Sequence, residues 1–254
     1  MAGSDWLEEI KDSVVVFWPV DAPTGVLIAF SGRGVAPESE PSPTTFLGRR
    51  FAVALGLDGL PLVRATQVHG NRSVSIRETP AEREVRDAGE CDALATDLAG
   101  VGLIVQTADC VPIVLAGERA VGVVHTGWRG TAKNAAGAGV SALLELGERP
   151  ERLRAWLGPS IGACCYEVGG EVAAQFAGEL VCSRCGGGFL LDLRAANRAQ
   201  LQASGLLSEN ISVHPACTKC GGERFASYRR DGPRAGRMIA LVARLGDRTL
   251  GRDL

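Results

Sequence analysis

In AVGVVHTGWRGTAKNAAGAGVSALLELG, residues 120–147, a valine-rich run stops at His125, a Gly-Trp-Arg-Gly turn follows, and a small-residue helical pattern begins near Thr131. A strand, a tight turn and a helix in succession form the repeating unit of an α/β protein. Thr131 is the expected N-cap of the helix and Gly147 the expected C-cap. A buried strand has no need of the histidine, and a turn has no need of Trp128 beside Arg129.

Outward from this unit, VGLIVQ (101–106), VPIVLA (111–116), AVGVVH (120–125) and RLRAWL (152–157) are four strand candidates rich in Val, Ile and Leu, as strands covered on both faces are. Residues 14–30 predict two strands around a proline-containing turn, FLGRRFAVALGL a helix ending near Gly56, and MIALVARL a late strand. GEVAAQFAG and LRAANRAQLQASG predict two further helices, the second capped by Asp192. The charged segment 78–90 is expected to be exposed and the tail 246–254 loose. No repeat or strong linker interrupts the 254 residues, so a single α/β domain over 1–254 is expected.

Composition narrows the function classes. The net charge is −2 with both signs interspersed, which excludes a basic nucleic-acid face. The most apolar stretch, VGLIVQTADCVPIVLAG, is broken by Thr107, Asp109 and Cys110 and is not expected to span a membrane. The N-terminus has neither a basic start nor a long apolar run, so a cytoplasmic protein without a secretory leader is expected. In that compartment the eight cysteines would be reduced, buried, catalytic or metal-bound.

Two of the three histidines occupy marked turns, His69 in TQVHGN and His125 in VVHTGWRG, and Cys110 ends TADC just before a strand. One thiolate and two imidazoles suit zinc with a fourth position left open, as in a catalytic site. The plainer alternative is a buried cysteine and two histidines that satisfy turn carbonyls. The turn after His125 combines a helix start with Arg129, which together suit an anion such as phosphate; alternatively Trp128 packs beneath the turn and Arg129 pairs with a surface acid. In SYRRDG, Arg229 or Arg230 could hold phosphate or a sugar hydroxyl, with a salt bridge favoured for Arg230. Cys182-Ser-Arg-Cys185 and Cys217-Thr-Lys-Cys220 are both CxxC pairs and could share a second, structural metal, although the gap between them is long. The adjacent Cys164 and Cys165 read as small buried hydrophobes, with a nucleophilic role as the alternative. His214 reads as structural.

TQVHGN, CDALAT, TADCVPIVL, VVHTGWRGTA, LGPSIGACCYEVGGEV, LDLRAANRAQL and FASYRRDGPRAGRM follow one another in this order. Together they resemble the laccase-domain family, first called multicopper polyphenol oxidoreductases and later described as purine nucleoside phosphorylases. The resemblance runs from about residue 60 to residue 244, with Thr126 and Ala226 standing where the family usually has Ala and Phe. It implies a layered α/β/β/α fold with mixed sheets, and zinc on His69, Cys110 and His125. It also implies phosphorolysis of adenosine, inosine or methylthioadenosine, an accompanying adenosine deaminase activity, and a monomer or homodimer whose partners are a small nucleoside and phosphate. SGRGVAPE is a shortened echo of a glycine-rich family loop, which makes Ser31 and Arg33 candidate substrate contacts. Asp109, next to the ligand cysteine, is the candidate proton donor, with a structural role equally open. Copper can occupy a Cys-His-His set in vitro. A true laccase needs a further cluster of imidazoles, and three histidines cannot supply it. A cytoplasmic hydrolase that edits peptidoglycan precursors is the alternative function, and a non-enzymatic metal-binding domain a weaker one.

Overall fold

The computed structural model describes residues 5–34, 42–183 and 187–246. Two mixed sheets stack face to face with helices on their outer sides, the expected α/β/β/α layering. The seven-stranded sheet runs in the order Trp6–Lys11, Val14–Pro19, Val26–Ser31, Met238–Arg244, Gly102–Thr107, Leu62–Thr66 and Val85–Glu90. The six-stranded sheet runs Ile211–Val213, Arg154–Leu157, Val111–Ala116, Val121–Thr126, Ala93–Thr96 and Ser73–Ser75. A small three-stranded sheet holds Glu167–Val168, Phe189–Leu191 and Val181–Ser183.

Alternation along the strands builds this sandwich. Val121 and Val123 point between the sheets to join Phe30, Val105, Val114 and Trp156, whereas Val124 points outward to Val140 and Leu143. On the other outer face Leu27, Leu62 and Ile104 meet Leu47 and Phe51 of the helix Pro43–Ala54. The apolar runs therefore lack alternation because both faces of each central strand are covered, here mostly in antiparallel pairs. Small residues let the outer helix approach closely: a Cβ on Gly139 would lie 2.4 Å from Val124 Cγ2.

Several elements differ from the sequence reading. The helix after His125 starts earlier and is broken in two. A short turn of helix, Trp128–Ala132, is followed by Asn134 in the left-handed region (φ 61°) and then by Ala135–Leu144. Thr131 is therefore not an N-cap; its hydroxyl donates back to the Gly127 carbonyl and accepts from Asn197 Nδ2. GEVAAQFAG gives only the short helix Gly170–Ala173. The charged 78–90 segment contains the edge strand Val85–Glu90, where charged side chains face water. Asp192 does cap Leu193–Ala203, its carboxylate accepting from Ala195 N at 2.9 Å. Residues 247–254 of the expected tail lie outside the described residues. Among the described residues no helix is long and apolar enough to cross a membrane.

His214 is buried among Trp6, Phe17 and Phe225, and its Nδ1 accepts from Ala216 N. Burial, with Arg194 and Arg224 nearby, lowers its pKa to about 4. As pH falls the unfolded chain takes up this proton first. The contribution is therefore complete above about pH 6.5 and is lost between there and about pH 4, a loss of about 3 kcal/mol. Urea unfolding across this range should show that slope, and His214→Asn should flatten it; an unchanged slope in the variant would assign the acid sensitivity to other groups.

Candidate metal centre

Three connections carry the chain from the seven-stranded to the six-stranded sheet: Thr66 to Ser73, Glu90 to Ala93, and Thr107 to Val111. They place His69, Asp92 and Cys110 side by side at the seam between the sheets. His125 arrives next to them on the strand Val121–Thr126 of the six-stranded sheet.

One donor atom from each of His69, Cys110 and His125 lies within 4.8 Å of the other two, so the three could hold a metal ion. The imidazole rings meet edge to face, with centroids 4.8 Å apart. Asp92, fully buried, organises the group. Its Oδ1 is 2.8 Å from His125 Nδ1 and accepts from His69 N at 3.0 Å, while its Oδ2 accepts from Gly70 N at 2.7 Å and Val68 N at 3.2 Å. With Nδ1 committed to the carboxylate, His125 presents Nε2 as its free donor. The backbone is strained at the same place: His69 (φ 58°) and Asp109 (φ 87°) both lie at positive φ, at about 1–3 kcal/mol each.

The electrostatics suit a cation. Burial pushes the Cys110 thiol up, but His125 and His69 outweigh it and bring it down to about 6. Burial pushes His125 down, but Cys110 and Asp92 raise it to about 9. Burial also raises Asp92, yet hydrogen bonds from His125 and Gly70 hold it below the usual carboxylate range. The two shifts favour a thiolate beside an imidazolium, and a metal ion held by these residues would take the place of the imidazolium proton. Soft sulfur with two imidazoles fits zinc or copper and not a hard cation.

The Gly-Trp-Arg-Gly turn is explained by crowding. A Cβ on Gly127 would stand 2.9 Å from Cys110 Sγ and 3.1 Å from His69 Cδ2, and one on Gly130 would stand 2.9 Å from the Gly70 carbonyl. Trp128 packs partly into the core and Arg129 lies 4.3 Å over its ring. The backbone of Gly127 is extended, so any residue can adopt it. Gly127→Ala is accordingly expected to fold with near-normal stability and to weaken metal binding at least about tenfold, the lower bound for misdirected ligands. Chelator competition reads this, and unchanged affinity would place the metal elsewhere.

The triad opens into a cleft of ≈ 380 Å³, within the range of small-ligand sites. Its walls include Gln106, Thr107, Tyr166, Tyr228, Arg229 and Arg237. The Thr107 hydroxyl and Gln106 Oε1 are buried there without a protein partner. Burial, then the Cys110 thiolate, push the Tyr166 hydroxyl up to about 12, so it stays protonated.

Comparison with known proteins fits this geometry. Residues 46–245 match the family model described as multi-copper polyphenol oxidoreductase laccase. The chain belongs to this laccase family. A relative from Deinococcus radiodurans named purine nucleoside phosphorylase is 39% identical over 210 residues, covering 80% of this chain and 78% of that protein. Adenosine deaminase RL5, from an unknown prokaryotic organism, is 38% identical over 207 residues, covering 76% and 79%. Among solved structures, YfiH from Bacillus licheniformis superposes with a TM-score of 0.82 at 25% identity, covering 95% of this chain and 99% of that one. YlmD from Geobacillus stearothermophilus gives 0.76 at 30% identity, covering 88% and 94%.

In this laccase-family chain the other candidate residues separate. Asp109 lines the cleft, but its Oδ1 accepts from Thr218 Oγ1 at 2.6 Å and its Oδ2 from Arg229 N at 2.7 Å. The two oxygens thus tie the turn of Thr218 and the start of the short helix Tyr228–Asp231 to the cleft, a placement that suits positioning better than proton donation. Arg229 stands at the cleft over the Tyr166 ring, 5.1 Å from its centroid. Arg129 is exposed and does not line the cleft, and its helix is too short to offer an anion site. Ser31 and Arg33 line a different cavity: Ser31 Oγ donates to Gly32 O and accepts from Ile239 N, and Arg33 pairs with Asp231. Arg230 fastens Asp231 and the carbonyls of Thr218, Gly222 and Phe225. Cys182 is exposed on the small sheet, and Cys185 lies outside the described residues. Cys164 and Cys165 prove exposed and half-buried, not core residues, and it is they that face Cys217 and Cys220. Asp92 went unselected by sequence, although CDALAT places a lone acid between two apolar neighbours, the one available signal.

Proposed function

We propose that the cleft cleaves purine nucleosides by phosphorolysis, with adenosine deamination as a second activity, in the cytoplasm. The observation that carries this reading is one cleft lined by His69, Cys110 and His125 together with two arginines and two tyrosines. The names of the relatives in Deinococcus radiodurans and of RL5 support it. Arg229 and Arg237 are the cations placed to hold phosphate. Tyr228, exposed at the cleft, offers an aromatic face to a purine, and the Tyr166 hydroxyl remains a donor throughout the physiological range. His69, Cys110 and His125 would hold zinc, which when bound supplies Lewis acidity at an open position. Phosphorolysis forms the C1′–phosphate bond as the bond to the purine breaks, through an oxocarbenium-like state that a phosphate fixed by arginine stabilises.

A multicopper oxidation is disfavoured by position as well as count. His214 sits in its aromatic pocket and is not a wall of the cleft, so no third imidazole joins the site.

The test is chromatography of products from zinc-loaded protein incubated with adenosine, with and without phosphate. Adenine and ribose 1-phosphate appearing only with phosphate are expected. Inosine in both conditions marks the deaminase. No turnover of adenosine, inosine or methylthioadenosine would overturn the reading and favour the editing hydrolase of cell-wall precursors.

A further inference from the structure

Beside the cleft, four free thiols converge from two distant segments. Cys164 Sγ lies 3.7 Å from Cys165 Sγ and 3.9 Å from Cys220 Sγ, and the sulfurs of Cys164, Cys165, Cys217 and Cys220 all lie within 4.8 Å of one another. A tetrahedral zinc thiolate centre with Zn–S bonds of about 2.3 Å has sulfurs about 3.8 Å apart along its edges. A disulfide instead needs about 2.05 Å. The surroundings of Cys217 favour its thiolate, whereas burial and the neighbouring sulfurs raise Cys164 and Cys165, which a metal ion would have to deprotonate. Gly162 N donates to Cys217 Sγ at 3.2 Å, and the amides of Lys219 and Cys220 also point to that sulfur. Arg194 lies close enough to Cys217, Cys164 and Cys220 to offset their charge. It is held by Ser160 Oγ and the carbonyls of Ser160, His214, Pro215 and Ala216.

We infer that Cys164, Cys165, Cys217 and Cys220 form a second, closed metal site of four thiolates, which takes zinc as a structural ion. The CxxC pair chelates from one loop and the vicinal pair from the other. The metal would fix the segment carrying Tyr166 to the loop carrying Thr218, the residue that clamps Asp109. Its role is to hold a wall of the cleft, and it stands whether or not the cleft acts on nucleosides. Zinc binding forms four Zn–S bonds and releases to solvent whichever thiol protons remain, with no change of oxidation state.

The decisive preparation is Cys110→Ala, which removes a donor of the first site and leaves the four thiols intact. Metal analysis is expected to find two zinc ions per wild-type chain and one in this variant. Cobalt substituted into Cys110→Ala is expected to show intense tetrahedral bands with sulfur-to-cobalt charge transfer, and the four thiols should resist alkylation until the metal is chelated. His69→Ala, at an exposed turn, replaces the variant if Cys110→Ala fails to fold. Cys164→Ser with Cys220→Ser should lose only the second ion. Three outcomes would overturn the site: no zinc retained in Cys110→Ala, a cobalt spectrum of that variant without sulfur charge transfer, or a disulfide joining two of the four in protein purified anaerobically.

Discussion

Cys110→Ala is expected to abolish metal binding at the cleft and, with it, nucleoside turnover. The thiolate is the one anionic donor among the three, and its charge does most to raise His125 against its burial. Without it a divalent ion meets two neutral imidazoles at most. The loss of affinity should exceed the about 10–100-fold that follows from removing an outer partner of a ligand. Cys110→Ser should not rescue, because a serine hydroxyl does not ionise near neutral pH and is a poor ligand for a soft cation. The stability cost is expected near about 1 kcal/mol, the centre of ordinary point substitutions, so the variant should fold. Metal content and kcat/KM measured together check this, and a variant with full occupancy at the cleft or wild-type turnover would remove Cys110 from the site.

Asp92→Ala is expected to damage both stability and metal affinity, which is what separates it from Cys110→Ala. It strips partners from three backbone amides and from His125 Nδ1 in a fully buried position. The His125 bond is buried and the three amide bonds half-buried, where water can replace part of each, so a total loss of about 2 kcal/mol or more is expected. Freed of its carboxylate, the His125 ring can turn, and affinity should fall about 10–100-fold. Asp92→Asn is a sharp companion. Each carboxylate oxygen accepts from two N–H groups, so the amide nitrogen of Asn faces donors in either orientation. The variant should therefore resemble Asp92→Ala despite its equal volume. Urea unfolding and chelator competition read the two effects separately, and normal affinity in Asp92→Asn would show that the carboxylate does not orient the ligand.

The strands and the three prospective ligands were legible because each carries a local mark. Val-rich runs announce covered strands, and His69, Cys110 and His125 each stand at the edge of such a run. The strand Trp6–Lys11 was hidden because it is an edge strand, where Glu8, Glu9 and Lys11 face water and apolar patterning is weak. Asp92 carries no periodic signal, and its partner His125 lies 33 residues away in sequence. The pairing of the thiols was not legible for a similar reason. CSRC and CTKC match in spacing, whereas the true neighbours of Cys217 and Cys220 are brought in by the parallel bridge from Ser160 to Cys217. The broken helix turns on one left-handed residue, Asn134, which small neighbours disguise as continuous helix.

His69, Asp92 and Cys110 each sit on a chain crossing between the two sheets. This position also governs when the centre can exist. With the six-stranded sheet alone assembled, Asp92 can already meet His125, but the crossings that carry His69 and Cys110 lack their anchors in the other sheet. If the three residues bind metal, its capture waits until the two sheets have docked.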